Sequence, residues 1–225
     1  MPEVRLENEI KMYSSGGPFA YEGDDPGPMT RALVTVIESE GFATSEIQCR
    51  RHTDFYYTDT KGDFDRDGIL LRYRDTGASA FLTMKLPTVK NGMGLTRREI
   101  EGEILNDTRF ERWKPVQHYA SEVYGPVEID RVPRLRIDVT RGRCQIRSKI
   151  RAYTFTSDRM VYTDPVSGRK SMPCYELEFE TLDEAIGDDP QMTRLLALLS
   201  DKYLYEEERI SKYARGMAFV RSLNS

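Results

Sequence analysis

Histidine, cysteine and tryptophan are scarce in this chain, and each scarcity removes a class of function. The only histidines are His52 and His118. Neither lies near a nucleophile-elbow pattern, so a Ser-His-Asp hydrolase has no support, and both read as surface or core residues. Cys49, Cys144 and Cys174 are odd in number and show no CxxC spacing. That argues against a disulfide framework or a zinc site and makes a reducing compartment the default. Trp113 falls in a helical stretch, where it reads as a packing residue, so no tryptophan platform for an aromatic ring is visible among the charged strands. Both the GxGxxG dinucleotide loop and the GxxxxGK[ST] phosphate loop are missing. Apolar runs fall well short of the roughly 20 residues that span a bilayer. The N-terminus is charged from Glu3 onward, unlike a secretory signal, and cytoplasmic residence is expected. Asp63-Phe-Asp65-Arg-Asp67-Gly68 matches the first half of an EF-hand loop, but Arg74 stands where the bidentate glutamate belongs. It reads as an acidic turn.

What the chain has is charge: 31% of residues are Asp, Glu, Lys or Arg, against 39% hydrophobic, so its charges must be organised rather than scattered. A net charge of −4 argues against general nucleic-acid binding, which favours a basic domain. It leaves room for a local basic cluster. In Arg5-Leu-Glu-Asn-Glu-Ile-Lys-Met, strand geometry puts Glu7, Glu9 and Lys11 on one face and Leu6, Ile10 and Met12 on the other. Taken alone this is an ordinary half-exposed strand. The pattern recurs, however, and whole strands carry one sign. Arg72 and Arg74 share a face, Lys85 ends one, and Arg147, Lys149 and Arg151 form a basic row. Arg97, Glu99, Glu101 and Glu103 stand in register, and Glu176, Glu178 and Glu180 alternate with Tyr175, Leu177 and Phe179. Solvated sheet faces usually mix signs, and like charges in adjacent rows repel. The economical solution is a closed sheet with its charged faces turned inward and its apolar outside covered by helices.

The expected fold is therefore α+β: a closed eight-stranded antiparallel β-barrel with a charged interior and flanking helices, the chain 1–225 forming a single domain. Strands are expected at about 4–12, 44–58, 69–75, 80–86 and 95–105, then at 134–140, 143–156, 160–164 and 173–181. Helices are expected at 30–40, from Asp107 toward Tyr124 with Pro115 breaking or restarting it, at 190–204 and at 210–223.

In this order and parity the motifs resemble the CYTH family of the triphosphate tunnel metalloenzymes. The ExExK signature is Glu7, Glu9 and Lys11. The RxR strand is Arg72 and Arg74, preceded by a Tyr-Thr-Asp-Thr run. A lysine strand (Lys85) and an RxExE strand (Arg97, Glu99, Glu101) follow, with Arg97 chosen over Arg98 for its shared parity. The second half offers a KxR element (Lys149, Arg151), Asp164 near a strand end and an ExE pair (Glu176, Glu178). Ser211-Lys212-Tyr213 is similar to an element of the related polyphosphate-polymerase domains.

The resemblance implies hydrolysis of a linear triphosphate, inorganic or organic, with Mg²⁺ or Mn²⁺. It implies metal ligation by Glu7, Glu9, Asp164, Glu176 and Glu178. Substrate binding is expected from Lys11, Arg72, Arg74, Lys85, Arg97, Lys149, Arg151 and Lys212, and catalytic roles from Glu101, Lys85 and Lys212. The residue chemistry is compatible, since Mg²⁺ takes a few carboxylates plus substrate phosphates and arginine binds phosphate oxygens in bidentate fashion. Alternatives are a class IV-type adenylate cyclase, which needs a base pocket not legible here, a polyphosphate polymerase, and a non-catalytic polyphosphate- or nucleotide-binding module. The expected partner is a small-molecule triphosphate, with no nucleic acid and no membrane. A homodimer stays open.

Overall fold

The computed structural model describes residues 3–16, 25–87, 89–91, 94–104, 110, 113–181 and 189–223. Its strands are β1 (Glu3–Ser14), β2 (Ala43–Thr44), β3 (Gln48–Tyr57), β4 (Leu70–Asp75), β5 (Ala80–Lys85), β6 (Val89–Asn91), β7 (Gly94–Ile104), β8 (Leu135–Arg147), β9 (Ala152–Thr163), β10 (Cys174–Thr181) and β11 (Glu206–Glu207). Its helices are α1 (Gly27–Ser39), α2 (Asp63–Asp67), α3 (Lys114–Tyr124), α4 (Pro190–Tyr203) and α5 (Lys212–Ser222). All strands join one antiparallel sheet in the order β11-β1-β10-β9-β8-β3-β4-β5-β7-β6, with β2 added to β8. β1 pairs twice. Its C-terminal half runs along β10, from Asn8↔Thr181 to Ser14↔Tyr175, and its N-terminal half along β7, from Glu3↔Glu101 to Glu9↔Leu95. The sheet has 11 strands where eight were expected, because β2, β6 and β11 are additions of two or three residues.

Period-2 alternation sorts the side chains into three apolar clusters. One face of β1, β8, β9 and β10 offers Ile10, Met12, Cys144, Ile146, Tyr153, Phe155, Tyr175, Leu177 and Phe179 to Leu33 and Ile37 of α1 and Leu195 and Leu199 of α4. The same face of β4, β5 and β7 offers Leu71, Leu82, Met84 and Ile100 to Phe64 of α2 and Val116 and Ala120 of α3. On the opposite face Leu135, Ile137, Val139, Met160, Tyr162 and Cys174 pack against Tyr213 and Met217 of α5. That face is thus apolar at one end, where α5 lies, and charged beyond it.

Local signals set the helix starts. Asp189 accepts hydrogen bonds from the N–H groups of Gln191 and Met192 ahead of Pro190, and Ser211 accepts from the N–H of Ala214. Pro115 sits in the first turn of α3, where its missing N–H costs nothing. The acidic turn is the short helix α2. There Arg66 pairs with Asp63 and Asp67, while Asp59 accepts from the backbone of Lys61, Asp63 and Phe64. No helix among the described residues is long and apolar enough to cross a membrane.

The second strand group differs from expectation. Arg134–Thr140 and the first part of Arg143–Thr156 are one strand, β8, which passes through Gly142 without a break. The chain turns at Ser148, whose hydroxyl accepts from the N–H groups of Ile150 and Arg151. Gly142 is a notch rather than a strand end. A Cβ there would meet the Thr30 Oγ1 of α1 at 1.9 Å, and Thr30 Oγ1 lies 2.7 Å from Ser157 Oγ on β9.

Gly142→Val should accordingly push α1 off the sheet and destabilise the protein by about 1–3 kcal/mol, the usual cost of overpacking. Urea denaturation checks this. An unchanged midpoint would show that α1 does not rest on β8 as described.

Candidate active site

Beyond the apolar end, the inner face holds charge. Asp54 on β3, Arg72 and Arg74 on β4, Lys85 on β5, Glu99 and Glu101 on β7, Arg141 on β8, Asp158 on β9, Glu176 and Glu178 on β10, and Glu9 and Lys11 on β1 all alternate with the apolar residues of the clusters above. Many of them line a cavity of about 580 Å³, including Lys11, Arg72, Arg74, Lys85, Glu101, Arg141, Glu178 and Lys212.

Ion pairs tie these groups across neighbouring strands. Both oxygens of Asp54 accept from Arg74, Nε at 2.7 Å and Nη2 at 2.8 Å. Arg72 Nη2 donates to Thr83 Oγ1 at 2.9 Å and Glu101 Oε2 at 3.0 Å. Lys85 pairs with the fully buried Glu99. Arg141 grips Asp158 at 2.7 and 2.6 Å and reaches Glu178 Oε2 at 3.3 Å. Lys11 Nζ lies 2.6 Å from Glu9 Oε1 and 3.8 Å from Glu178 Oε1. Lys212 enters from α5 and meets Asp158 at 2.7 Å and Glu176 and Glu178 at 3.0 Å each. Arg215, one turn on, pairs with Glu176 and with Glu208 at 2.8 Å.

These pairs decide the titration of the cavity. Burial pushes Asp54 upward, but Arg74 and Arg72 outweigh it and hold the carboxyl far below its ordinary range. Burial likewise raises Asp158, and Arg141 and Lys212 bring it down to about 2. Glu178 is held low by Lys212, Lys11 and Arg141 against its burial. Burial disfavours charge on Lys212, yet Asp158, Glu176 and Glu178 keep the ammonium protonated well above its usual range. His52, on the same face of β3, goes the other way. Desolvation first, then the Arg74 charge, lower it from 6.5 to about 3, so it is neutral near pH 7.

The expected site residues separate into groups. Glu9, Lys11, Arg72, Arg74, Lys85, Glu101, Glu178 and Lys212 come together around the cavity and its ion pairs. Glu176 has its carboxylate taken by Lys212 and Arg215, so it anchors α5 rather than standing open as a metal ligand. The side chains of Glu7 and Arg97 lie outside those described, although their backbones pair with each other. Arg98 points away and stacks over Tyr119.

Three expectations are corrected. Lys149 and Arg151 sit at the β8–β9 turn and line a neighbouring hollow that shares Thr154 and Glu180 with the main cavity, because the turn falls where a strand was expected. Arg141 and Arg143 line the main cavity in their stead. Asp164 closes the β9–β10 turn, accepting from the N–H groups of Val166 and Ser167 and from Ser167 Oγ at 2.6 Å. The acidic place on β9 belongs to Asp158, six residues earlier. Sequence reasoning also missed Asp54, His52 and Arg215. On β3 the charges run through Arg50, Arg51, His52 and Asp54 on both faces and with mixed sign, and Arg215 lies on a helix, so none shows the strand of one sign that marked the others. Same-face parity with Tyr56 and with the Arg74 row was the only signal for Asp54.

Carboxylates fit a hard cation by donor type. Among the described residues no group of three or more His, Cys, Asp or Glu side chains is placed to hold a metal by itself. Glu9 and Glu178 flank one ammonium, and two carboxylates completed by substrate oxygens is an ordinary Mg²⁺ arrangement.

Residues 30–214 match the CYTH domain. The chain belongs to the CYTH family. Members are typically metal-dependent triphosphatases that bind triphosphate substrates. Two solved structures share the fold. One is a putative adenylyl cyclase from Hippeastrum, described as having a dominant triphosphatase activity, with a TM-score of 0.56 at 19% identity over 95% of this chain and 96% of that one. The other is a putative adenylate cyclase from Bacillus halodurans, with a TM-score of 0.52 at 15% identity over 92% and 96%. No curated protein matches the sequence.

His52 makes the stability of this CYTH protein pH-dependent in a range where its carboxylates do not titrate. The unfolded chain takes a proton below about pH 6.5 and the folded chain does not, so stability is full above that value and falls on acidification. Urea midpoints should drop between about pH 7 and 5, and His52→Gln should flatten that drop. A wild-type midpoint constant over the interval would place His52 in water.

Proposed function

We propose that the chain is a metal-dependent hydrolase of linear triphosphates, and that the succession of pairings from β1 through β10, β9, β8, β3, β4, β5 and β7 back to β1 encloses an eight-stranded tunnel. The observation that carries this reading is the cavity's composition. Lys11, Arg72, Arg74, Lys85, Arg141 and Lys212 reach it from five different elements. Their charges are nearly matched by Glu9, Asp54, Glu99, Glu101, Asp158, Glu176 and Glu178. Arg50, Arg51 and Arg143 line the cavity as well, so its wall attracts a polyanion. It accepts one that arrives with a divalent cation, because the cation takes over carboxylates such as Glu9 and frees Lys11 for phosphate.

In this reading Arg72 and Arg74 orient the phosphates through the N–H groups they do not spend on Glu101 and Asp54. Lys85 and Lys212 stabilise charge developing on the transferring phosphoryl group and its leaving oxygen. Glu101, partly exposed in the cavity wall, orients the attacking water. A bound Mg²⁺ or Mn²⁺, held by Glu9 and Glu178, supplies charge neutralisation of the phosphate oxygens. Catalysis is then mainly positioning and preorganised electrostatics.

Phosphate release from tripolyphosphate should require Mg²⁺ or Mn²⁺ and stop in excess EDTA. Full activity with EDTA would sink the proposal, and conversion of ATP mainly to cyclic AMP and pyrophosphate would replace it with the cyclase reading.

Arg72→Ala should raise KM for tripolyphosphate at least tenfold, since one charge-assisted hydrogen bond to phosphate is worth about 1.5–3 kcal/mol. Steady-state kinetics beside a thermal melt check this. An unchanged KM in a folded variant would place the substrate elsewhere.

A further inference from the structure

His52 is a polar group of the cavity that the reading above does not use. It lies on β3 between Arg50 and Asp54, and its ring lines the cavity. Only 8% of the residue is exposed, and among the described residues its Nε2 has no hydrogen-bond partner. The nearest carboxylate oxygen, Asp54 Oδ2, is 3.8 Å away, beyond hydrogen-bonding reach and already engaged by Arg74 Nη2. A buried, unpaired ring nitrogen costs free energy unless something fills its place.

Its surroundings say what fills it. From β3 it faces Asp54, from β4 Arg74, from β8 Arg141 and from β9 Asp158. It therefore stands between two arginine–carboxylate pairs, Arg74–Asp54 and Arg141–Asp158. Each guanidinium has five N–H donors and spends two of them on its own aspartate. A phosphate oxygen accepting from both arginines has the imidazole beside it as a further donor.

We propose that His52 is a substrate-contacting residue, its imidazole donating to a phosphate group held jointly by Arg74 and Arg141. This rests on the triphosphate reading of the cavity and deepens it. The empty cavity keeps the ring neutral by burial and by the two arginine charges. A phosphate dianion at that point reverses the local field, so the ring takes up a proton as the ligand binds and then donates from a charged nitrogen. His52 thus adjusts the cavity's charge to the protonation state of its ligand, which fixed arginines cannot do.

The test uses the whole protein with tripolyphosphate, read in parallel by calorimetry and by imidazole nitrogen NMR. The chain has 2 histidines, so two ring systems appear. His118, exposed on α3, is assigned with His118→Gln. Calorimetry reports whether tripolyphosphate binds, and repeating it in buffers of different ionisation enthalpy counts the protons taken up. The expected result is binding with proton uptake, and a His52 ring that changes from neutral to imidazolium while His118 stays unmoved. His52→Phe, which keeps the ring's bulk and removes its donor, should bind about tenfold more weakly with the proton uptake gone. Tripolyphosphate that binds, and is weakened by Arg72→Ala, while the His52 ring stays unmoved would overturn the role of His52 and leave the triphosphate reading intact. No binding by calorimetry would overturn both.

Discussion

Charge buried on one face of a sheet must find its counter-charge on the next strand, and that requirement governs this structure. An unpaired ion away from water costs several kcal/mol, so the strands can pair only where opposite charges meet. The register shows this directly. Asp54 stands opposite Arg74, Arg141 opposite Asp158, Lys85 opposite Glu99 and Lys11 opposite Glu178. Sliding any of these strands by one residue would turn its charges into the apolar layer beneath α1 and α4 or beneath α2 and α3. The ion pairs therefore specify register more than they add stability, consistent with buried pairs being a weak source of net free energy.

At two of the places where the register sets like charges opposite each other, carboxylates meet and a cation comes from elsewhere. Glu9 faces Glu180 between β1 and β10, and the Lys11 ammonium, two residues along the same face of β1, settles beside Glu9. Glu176 faces Asp158 between β10 and β9, both without exposed surface. No strand residue neutralises that second pair completely, and Lys212 and Arg215 of α5 do so. The helix can come close enough because Gly216 carries no side chain: a Cβ there would stand 2.3 Å from Leu135 Cδ2. The C-terminal helix is in this sense part of the electrostatics of the sheet. Its apolar residues Tyr213 and Met217 close the uncharged end of the inner face, and its cations complete the charged end.

The legible part of the molecule was the part written in pairs. Two charges at i and i+2 flanked by apolar residues identify both strand and face, which is why Lys11, Arg72, Arg74, Glu101 and Glu178 were readable as inward. Lone residues were not readable. Asp158 sits in Thr-Ser-Asp-Arg-Met, where Arg159 follows it at the opposite parity, and nothing local says which of the two faces inward. The answer comes from Arg141, distant in sequence and opposite in space. The expected strands stop at 140 and restart at 143, but glycine can mark a close approach as well as a strand end, and Thr30 makes Gly142 a close approach. Reading a break there moved the turn into β8 and carried Lys149 and Arg151 into a strand that does not exist. The backbone of Asp164 is held to Arg169 and Gly168, a turn signature that its strand-end position resembled from sequence alone.

A cavity whose central arginines and lysines are already gripped by carboxylates is an unusual receptor, and the pairing has a mechanistic consequence. Flexible lysines and arginines lose rotamer entropy when a ligand fixes them. Here the carboxylates have already fixed them, with Arg74 and Arg141 each gripped through two nitrogens. Ligand binding exchanges partners around side chains that are already in place. It need not collect them from solvent, and their dipoles are oriented before charge develops. The same arrangement imposes selectivity. A ligand must offer enough negative charge to compete with Glu101, Asp54 and Asp158 for guanidinium N–H groups, and must bring positive charge to satisfy the carboxylates it displaces. A monoanion does neither. A metal-complexed chain of phosphates does both, which follows from how the strands solve the burial of their own charges.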